Sequence, residues 1–231
     1  MKSVLITGTS KGLGYALAEE FLKKSWLVFA LARDVSKLSE LTDLYKGACI
    51  LIQSDVTDES CSELISNEIK SRTDKLDLLI NNAGNAELHF KLDDVTPENL
   101  EGHFKVHVSG AFRVIKACLP FLAESSEASI LNISSRKGSI NRINSGAYRV
   151  LLPYQIAKAA QNMLSVGLNQ LLQNTNIKVY AVHPGNLKTD VAPIDADTEA
   201  YESAKEIYCW INGNPSHELF YSIMEKTNIE W

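Results

Sequence analysis

Cysteine is scarce and unpaired in this chain. Four residues, Cys49, Cys61, Cys118 and Cys209, are scattered through 231 positions with no Cys-x-x-Cys pair. They read as small buried or half-buried side chains of a reducing compartment. The five histidines show no metal-ligand spacing, so no structural metal is expected. Positive charge is not in excess either. The balance is 23 basic against 28 acidic side chains, a formal net charge of −5, which argues against a sequence-independent nucleic-acid binder. No uninterrupted apolar run approaches the ~20 residues that span a bilayer, so no membrane partner is expected. The first residues pass directly into an apolar segment and leave no signal peptide, which makes a cytoplasmic protein the expectation. Repeats, low-complexity tracts and linkers are missing as well. A length of 231 residues, 45% hydrophobic and 22% charged, fits one large domain, 1–231, with a substantial core.

What is present is an alternation of strand and helix signals. Strands are predicted at Val4–Thr7, Leu27–Ala32, Ala48–Gln53, Leu76–Asn81, Ser129–Ser134 and Ile177–His183. Helices are predicted at Leu13–Lys24, Val35–Tyr45, Asp58–Arg72, from Thr96 through Leu119, at Tyr154–Leu172 and at Ala200–Ile211, with an irregular tail to Trp231. In Thr96-Pro97-Glu98 the threonine is a cap and the proline takes the first helical position. Continuously apolar strands alternating with helices imply an α/β fold: a doubly wound, Rossmann-type parallel sheet with helices on both faces. Ligands of such folds sit beyond the carboxyl ends of the strands. Gly8, Arg33, Asp55, Asn82, Ser135 and Pro184 each follow a predicted strand.

The first strand runs into Thr7-Gly8-Thr9-Ser10-Lys11-Gly12-Leu13-Gly14, and a helix follows. Strand, glycine turn and helix form the context in which such a turn cradles phosphate. Residues without a β-carbon let the backbone approach a pyrophosphate, and the helix start offers unpaired amides and a positive dipole end. The spacing is Gly-x3-Gly-x-Gly, which differs from the commoner Gly-x-Gly-x-x-Gly.

Farther along, Tyr154 and Lys158 lie four positions apart and so share one helix face. A cation within reach stabilises a phenolate and lowers the tyrosine pKa, which fits proton exchange with an alcohol or carbonyl near neutrality. Ser135 ends the fifth strand, where its hydroxyl can donate to a substrate oxygen. Each feature also has a plain reading, as a solvated helix face or a serine capping its own turn.

Taken in order, these segments resemble the short-chain dehydrogenase/reductase family. The resemblance runs from Thr7 to about Asp190 and includes Asp55-Val56, Asn81-Asn82-Ala83-Gly84 and Pro184-Gly185-Asn186-Leu187-Lys188-Thr189. It implies hydride transfer between a nicotinamide cofactor and a small-molecule carbonyl or alcohol. Tyr154 would be the proton donor or acceptor. Lys158 would lower the Tyr154 pKa and hold ribose hydroxyls, and Ser135 would orient the carbonyl. Gly8, Ser10, Lys11, Gly12, Leu13 and Gly14 would form the dinucleotide cradle. Asp55 and Val56 would contact the adenine, and Asn82, Ala83 and Gly84 would line the cofactor. Pro184 and Gly185 would bind it too, with Leu187 and Thr189 at its carboxamide and phosphates. Family members usually form homodimers or homotetramers, here through Phe104–Leu122 and Met163–Leu172.

Cofactor choice lies at the end of the second strand. Arg33, joined by Lys11, suits a 2′-phosphate and points to NADP(H) over NAD(H), with the neighbouring Asp34 as competitor. The chain departs from the family at His107, where many members carry asparagine to hold a water near the lysine ammonium. His107 could serve that relay or simply make a structural hydrogen bond. The interval from Ser135 to Tyr154 is also long, and the added residues fall in Ser139–Pro153. A comparable segment marks a subgroup resembling C-factor and sniffer-type carbonyl reductases. Tyr148 competes with Tyr154 but has Leu152 where a lysine is needed. His89, Phe90, Arg142 and Arg149 are candidates to border the pocket. Two other functions stay open: a dinucleotide-binding regulatory or signalling protein with little turnover, and a different reaction such as epimerisation or dehydration.

Overall fold

Apolar runs too continuous to leave either face in water build the centre of the computed structural model. It describes residues 1–84, 91–146, 150–188, 196–213, 215 and 219–231. The strands are β1 (Ser3–Thr7), β2 (Leu27–Ala32), β3 (Cys49–Gln53), β4 (Leu78–Asn81), β5 (Ala128–Ile133), β6 (Ile177–His183), β7 (Phe220–Ser222) and β8 (Thr227–Asn228). They form one sheet in the order β3-β2-β1-β4-β5-β6-β7-β8. Every pairing is parallel except β7 with β8. The order reverses between β1 and β4, and that switch point opens the crevice in which such folds hold ligands.

The helices are α1 (Gly12–Lys23), α2 (Ser39–Leu44), α3 (Cys61–Lys70), α4 (Pro97–Phe104), α5 (Ala111–Ala123), α6 (Ile140–Asn144), α7 (Leu152–Leu171) and α8 (Ala200–Asn212). Two buried clusters lie on opposite faces of the sheet. One joins Leu17 and Phe21 of α1 and Ile207 of α8 to Val4, Ile6 and Val28. The other joins Ile65 of α3, Ile115 of α5 and Leu168 of α7 to Leu5, Leu79 and Ile130. At α8, Tyr208 meets Phe21 edge-to-face at 5.1 Å, which locks α8 onto α1.

Thr96 caps α4 as its position predicts. Its Oγ1 accepts from the Asn99 amide at 3.4 Å, and Asn99 Oδ1 accepts from the Thr96 amide at 2.8 Å. Between α4 and α5, Lys105–Gly110 is wound as a π-helix, so Pro97–Ala123 is continuous. That helix has 27 residues and is long and apolar enough to cross a membrane, contrary to the expectation that nothing in the chain reaches such a length. Charged residues interrupt the run of letters without interrupting the helix. Half of its apolar stretch is buried in the fold, and Val114, Ile115, Cys118 and Leu122 pack in the core. Phe104, Phe112 and, on α7, Met163 stay exposed.

The tail is not irregular as predicted, because β7 and β8 extend the sheet beyond β6. Strands of three and two residues are too short to show a period of two. The interval before Tyr154 also carries structure, since Ser139 caps α6 by accepting from the Arg142 amide at 3.1 Å. Ser139 in turn donates to the Glu230 carbonyl, which ties that interval to the C-terminal segment.

Candidate active site

The carboxyl ends of the parallel strands surround a cavity of about 740 Å³, within the range of small-molecule sites. All the predicted catalytic and cofactor-binding residues that the structure describes line it. Thr189 lies outside the described residues, as do the competitor Tyr148 and the border candidates His89, Phe90 and Arg149.

One end of the cavity is the turn from β1 to α1, walled by Gly8, Ser10, Lys11, Gly12, Leu13 and Gly14. Gly8 has φ +73°, and a β-carbon there would lie 2.8 Å from Ala83 Cα. The turn is pinned from two sides. The Gly8 amide donates to the Leu31 carbonyl at 2.8 Å. Asn82 Nδ2 donates to the carbonyls of Thr7 and Gly8 at 2.9 and 3.2 Å. The amides of Asn82 and Ala83 both donate to Thr7 Oγ1 at 3.0 Å. No side chain caps the start of α1, so its first amides are left for an anion in the cavity. A glycine cradle facing an uncapped helix start fits a dinucleotide pyrophosphate.

Arg33 and Asp55 form the adjoining wall, with Arg33 Nη1 3.8 Å from Asp55 Oδ2. Burial works to raise the Asp55 carboxyl. The Thr57 amide and hydroxyl, each at 2.8 Å, together with Arg33, outweigh it and hold the group below its usual range. Asp34 turns away and accepts from the amide and hydroxyl of its own neighbour Ser36 at 3.1 and 2.5 Å. The competitor carboxylate is thus committed to a local turn, while Arg33 faces the cavity. The Val56 carbonyl accepts from Arg113 at 2.7 Å, which fixes this wall against α5.

At the opposite end Ser135, Tyr154 and Lys158 converge. Lys158 Nζ lies 5.7 Å from the centre of the Tyr154 ring. Burial pushes the Tyr154 phenol above its ordinary pKa, and a hydrogen bond with Ser135 pulls it part of the way back. This overturns the direction expected from Lys158. Burial acts on the lysine too and lowers it to about 7. The spacing predicts a cation stabilising a phenolate, whereas both groups sit where charge is costly.

His107 lies in the π-helical turn and meets the Tyr154 ring edge-to-face at 5.7 Å, with His103 stacked behind it at 5.8 Å. Gly84 makes this approach possible, since a β-carbon there would come within 2.7 Å of His107 Cε1.

Pro184, Gly185 and Leu187 close the cavity beyond β6. The lining residues not singled out from sequence include Arg136, Lys137 and His183. Arg142, expected at the border, does not line the cavity. Its Nη1 lies 3.3 Å from Glu225, which also takes Arg136 at 3.0 Å. His183 is buried, and neither ring nitrogen has a hydrogen-bond partner. Only its place at the end of a strand could have flagged it. Burial, with Arg136 adding to it, pulls this imidazole down to about 3. The unfolded chain therefore binds a proton below its ordinary value of 6.5 that the folded chain refuses until about 3. The stability that depends on neutral His183 is complete above 6.5 and is lost as the pH falls toward 3. Urea unfolding should show His183→Leu flattening this acid loss, by up to ~1.4 kcal/mol per pH unit. Parallel pH slopes for the variant and the wild type would refute the assignment.

Residues 2–200 match the sequence model of the short chain dehydrogenase family. The chain belongs to that family and is one of its oxidoreductases. Within it, the chain's likeness is to carbonyl reductases of the Sniffer type. Carbonyl reductase Sniffer of D. melanogaster superposes with a TM-score of 0.89 at 26% identity, over 100% of both chains. An NADPH-bound carbonyl reductase from chicken fatty liver gives 0.88 at 27% identity, over 100% of this chain and 99% of that one. In sequence, the NADPH-dependent pterin aldehyde reductase of Arabidopsis thaliana is 30% identical over 192 residues, covering 82% of this chain and 76% of the relative.

Proposed function

We propose that the chain is an NADP(H)-dependent reductase of small carbonyl compounds, with Ser135, Tyr154 and Lys158 as its catalytic residues. The observation that carries this reading is their convergence on one cavity whose other end is the glycine cradle. The bound nicotinamide would supply hydride to the carbonyl carbon. The Ser135 hydroxyl, already bonded to Tyr154, orients the carbonyl oxygen. The Tyr154 phenol, kept protonated by burial, delivers the proton to that oxygen. Lys158 binds ribose hydroxyls, its Nζ standing 5.7 Å from the centre of the Tyr154 ring. His107 holds the Tyr154 ring in place by its edge-to-face contact. The polar rim at Arg136 and Lys137 belongs to the substrate end. A regulatory protein without turnover would not need this triad.

The decisive assay follows NADPH absorbance against a panel of aldehydes, diketones and quinones while the carbonyl is quantified. One carbonyl lost per NADPH consumed is the expected result. Tight NADPH binding without turnover on any of them would refute the reading.

Cofactor preference rests on Arg33, assisted by Lys11, with Asp34 turned aside. Arg33→Ser should weaken NADPH binding by roughly 10- to 100-fold, the loss of one charge-assisted contact, and leave NADH binding nearly unchanged. Equal losses for the two cofactors would show that Arg33 does not read the 2′-phosphate.

A further inference from the structure

Lys158 is held from the protein side as well as facing the cavity. Its Nζ donates to the Ile133 carbonyl at 2.7 Å and to Gln161 Oε1 at 2.9 Å. Gln161 is 1% exposed and stands one helical turn beyond Lys158 on α7, on the same face of the helix. This turn of the helix is fastened to the sheet. Ser165 Oγ donates to the Gln161 carbonyl, Asn132 Nδ2 to Ser165 Oγ and Asn81 Nδ2 to Asn132 Oδ1, each at 2.9 Å. Hydrogen bonds thus tie the end of β4, through β5, to the backbone of the helical turn that carries Gln161.

A buried ammonium has three N–H groups and no water to replace a missing acceptor. Two of the three are taken here, one by a backbone carbonyl that cannot move and one by an amide that the helix holds. An amide oxygen supports the cation without a counter-charge that would neutralise it toward the cavity. The third N–H remains for the cavity side.

We propose that Gln161 is a positioning residue for Lys158, fixing the ammonium against Ile133 and reserving its third N–H for the cavity. The consequence for reaction rests on the reductase reading above. Burial disfavours the Lys158 charge, and the Gln161 acceptor oxygen, held 2.9 Å from Nζ, opposes that loss. Without its oxygen the lysine would discharge at lower pH, and a carboxylate in its place would hold the charge to higher pH.

The test titrates the Lys158 side chain by NMR in the full chain without cofactor, using lysine labelled at Cε. The resonance is assigned by its disappearance in Lys158→Met. Gln161→Leu should lower the midpoint by about one pH unit, a tenfold loss of proton affinity, and Gln161→Glu should raise it by at least as much. The basic limb of NADPH affinity, read by fluorescence titration, should move the same way in each variant. Gln161→Glu is nearly isosteric, so its titration decides the matter if Gln161→Leu does not fold. Midpoints equal to wild type in the folded variants would overturn the proposal. Failure of the reductase reading is seen separately. The lysine midpoint would still move, but no carbonyl would be consumed and Tyr154→Phe would change nothing.

Discussion

Replacing Tyr154 with phenylalanine should cut carbonyl turnover by roughly 10²- to 10⁴-fold, the usual worth of a positioned acid, and leave NADPH affinity within about twofold. The substitution removes one oxygen and little else. The ring keeps its edge-to-face contacts with His107 at 5.7 Å and His103 at 6.1 Å, and Lys158 stays 5.7 Å from its centre. Ser135 loses its phenolic partner but still has the Lys137 amide, which donates to its Oγ at 3.2 Å. The fold should therefore lose no more than ~1 kcal/mol. Burial holds the Tyr154 phenol above its ordinary pKa, so the proton is in place throughout the neutral range. With NADPH saturating, reduction should accordingly persist to alkaline pH and fall where the phenol ionises. Single-turnover measurements with saturating NADPH separate this step from release. A variant within tenfold of wild type would take the proton-donor role away from Tyr154 and reopen the question of which group serves.

The strands and the glycine turn are legible because their signals are local. Apolar runs specify β1 to β6, and a turn after the first strand can cradle an anion wherever the helix start is uncapped. The choice between Arg33 and Asp34 is also local once the Ser36 hydroxyl is noticed two residues on. Electrostatic consequences were harder to read. Spacing puts Tyr154 and Lys158 on one face, but it does not say whether water reaches them. Burial comes from β5 and the π-helical turn, which are distant in sequence, and it reverses the expected direction of the tyrosine shift. Gln161 is invisible for a related reason. A glutamine in a helix reads as surface, and only the folded structure shows it buried, with its Oε1 accepting from Lys158. His183 carries no motif, and its importance lies in two ring nitrogens left without partners beside the cavity.

Gly14→Ala should be the most damaging single methyl in the cradle. A β-carbon at Gly14 would stand 2.1 Å from the Gly8 carbonyl oxygen and 2.5 Å from Asn82 Nδ2. Neither can retreat easily. Asn82 Nδ2 donates to the Thr7 and Gly8 carbonyls, and the Gly8 amide is bonded to Leu31. Relief would mean moving α1 off β1, and Leu13 and Leu17 of that helix are core residues. Overpacking of this kind costs ~1–3 kcal/mol, or roughly 2–12 °C in a domain of this size. The same displacement carries the first amides of α1 away from the phosphate position, so NADPH affinity should fall by about 100-fold or more. Gly12→Ala is the control. Gly12 has φ +58° with nothing within 4 Å of a β-carbon, so alanine there meets only the left-handed backbone penalty. That penalty is about 1–2 kcal/mol, with no wedge between helix and sheet. Melting curves and NADPH titrations of the two variants should therefore rank Gly14→Ala well below Gly12→Ala in cofactor affinity. The reverse order, or a Gly14 variant that binds NADPH like wild type, would mean that the turn gives way more easily than its hydrogen bonds imply, and that the close approach of β1 and α1 is not what holds the pyrophosphate.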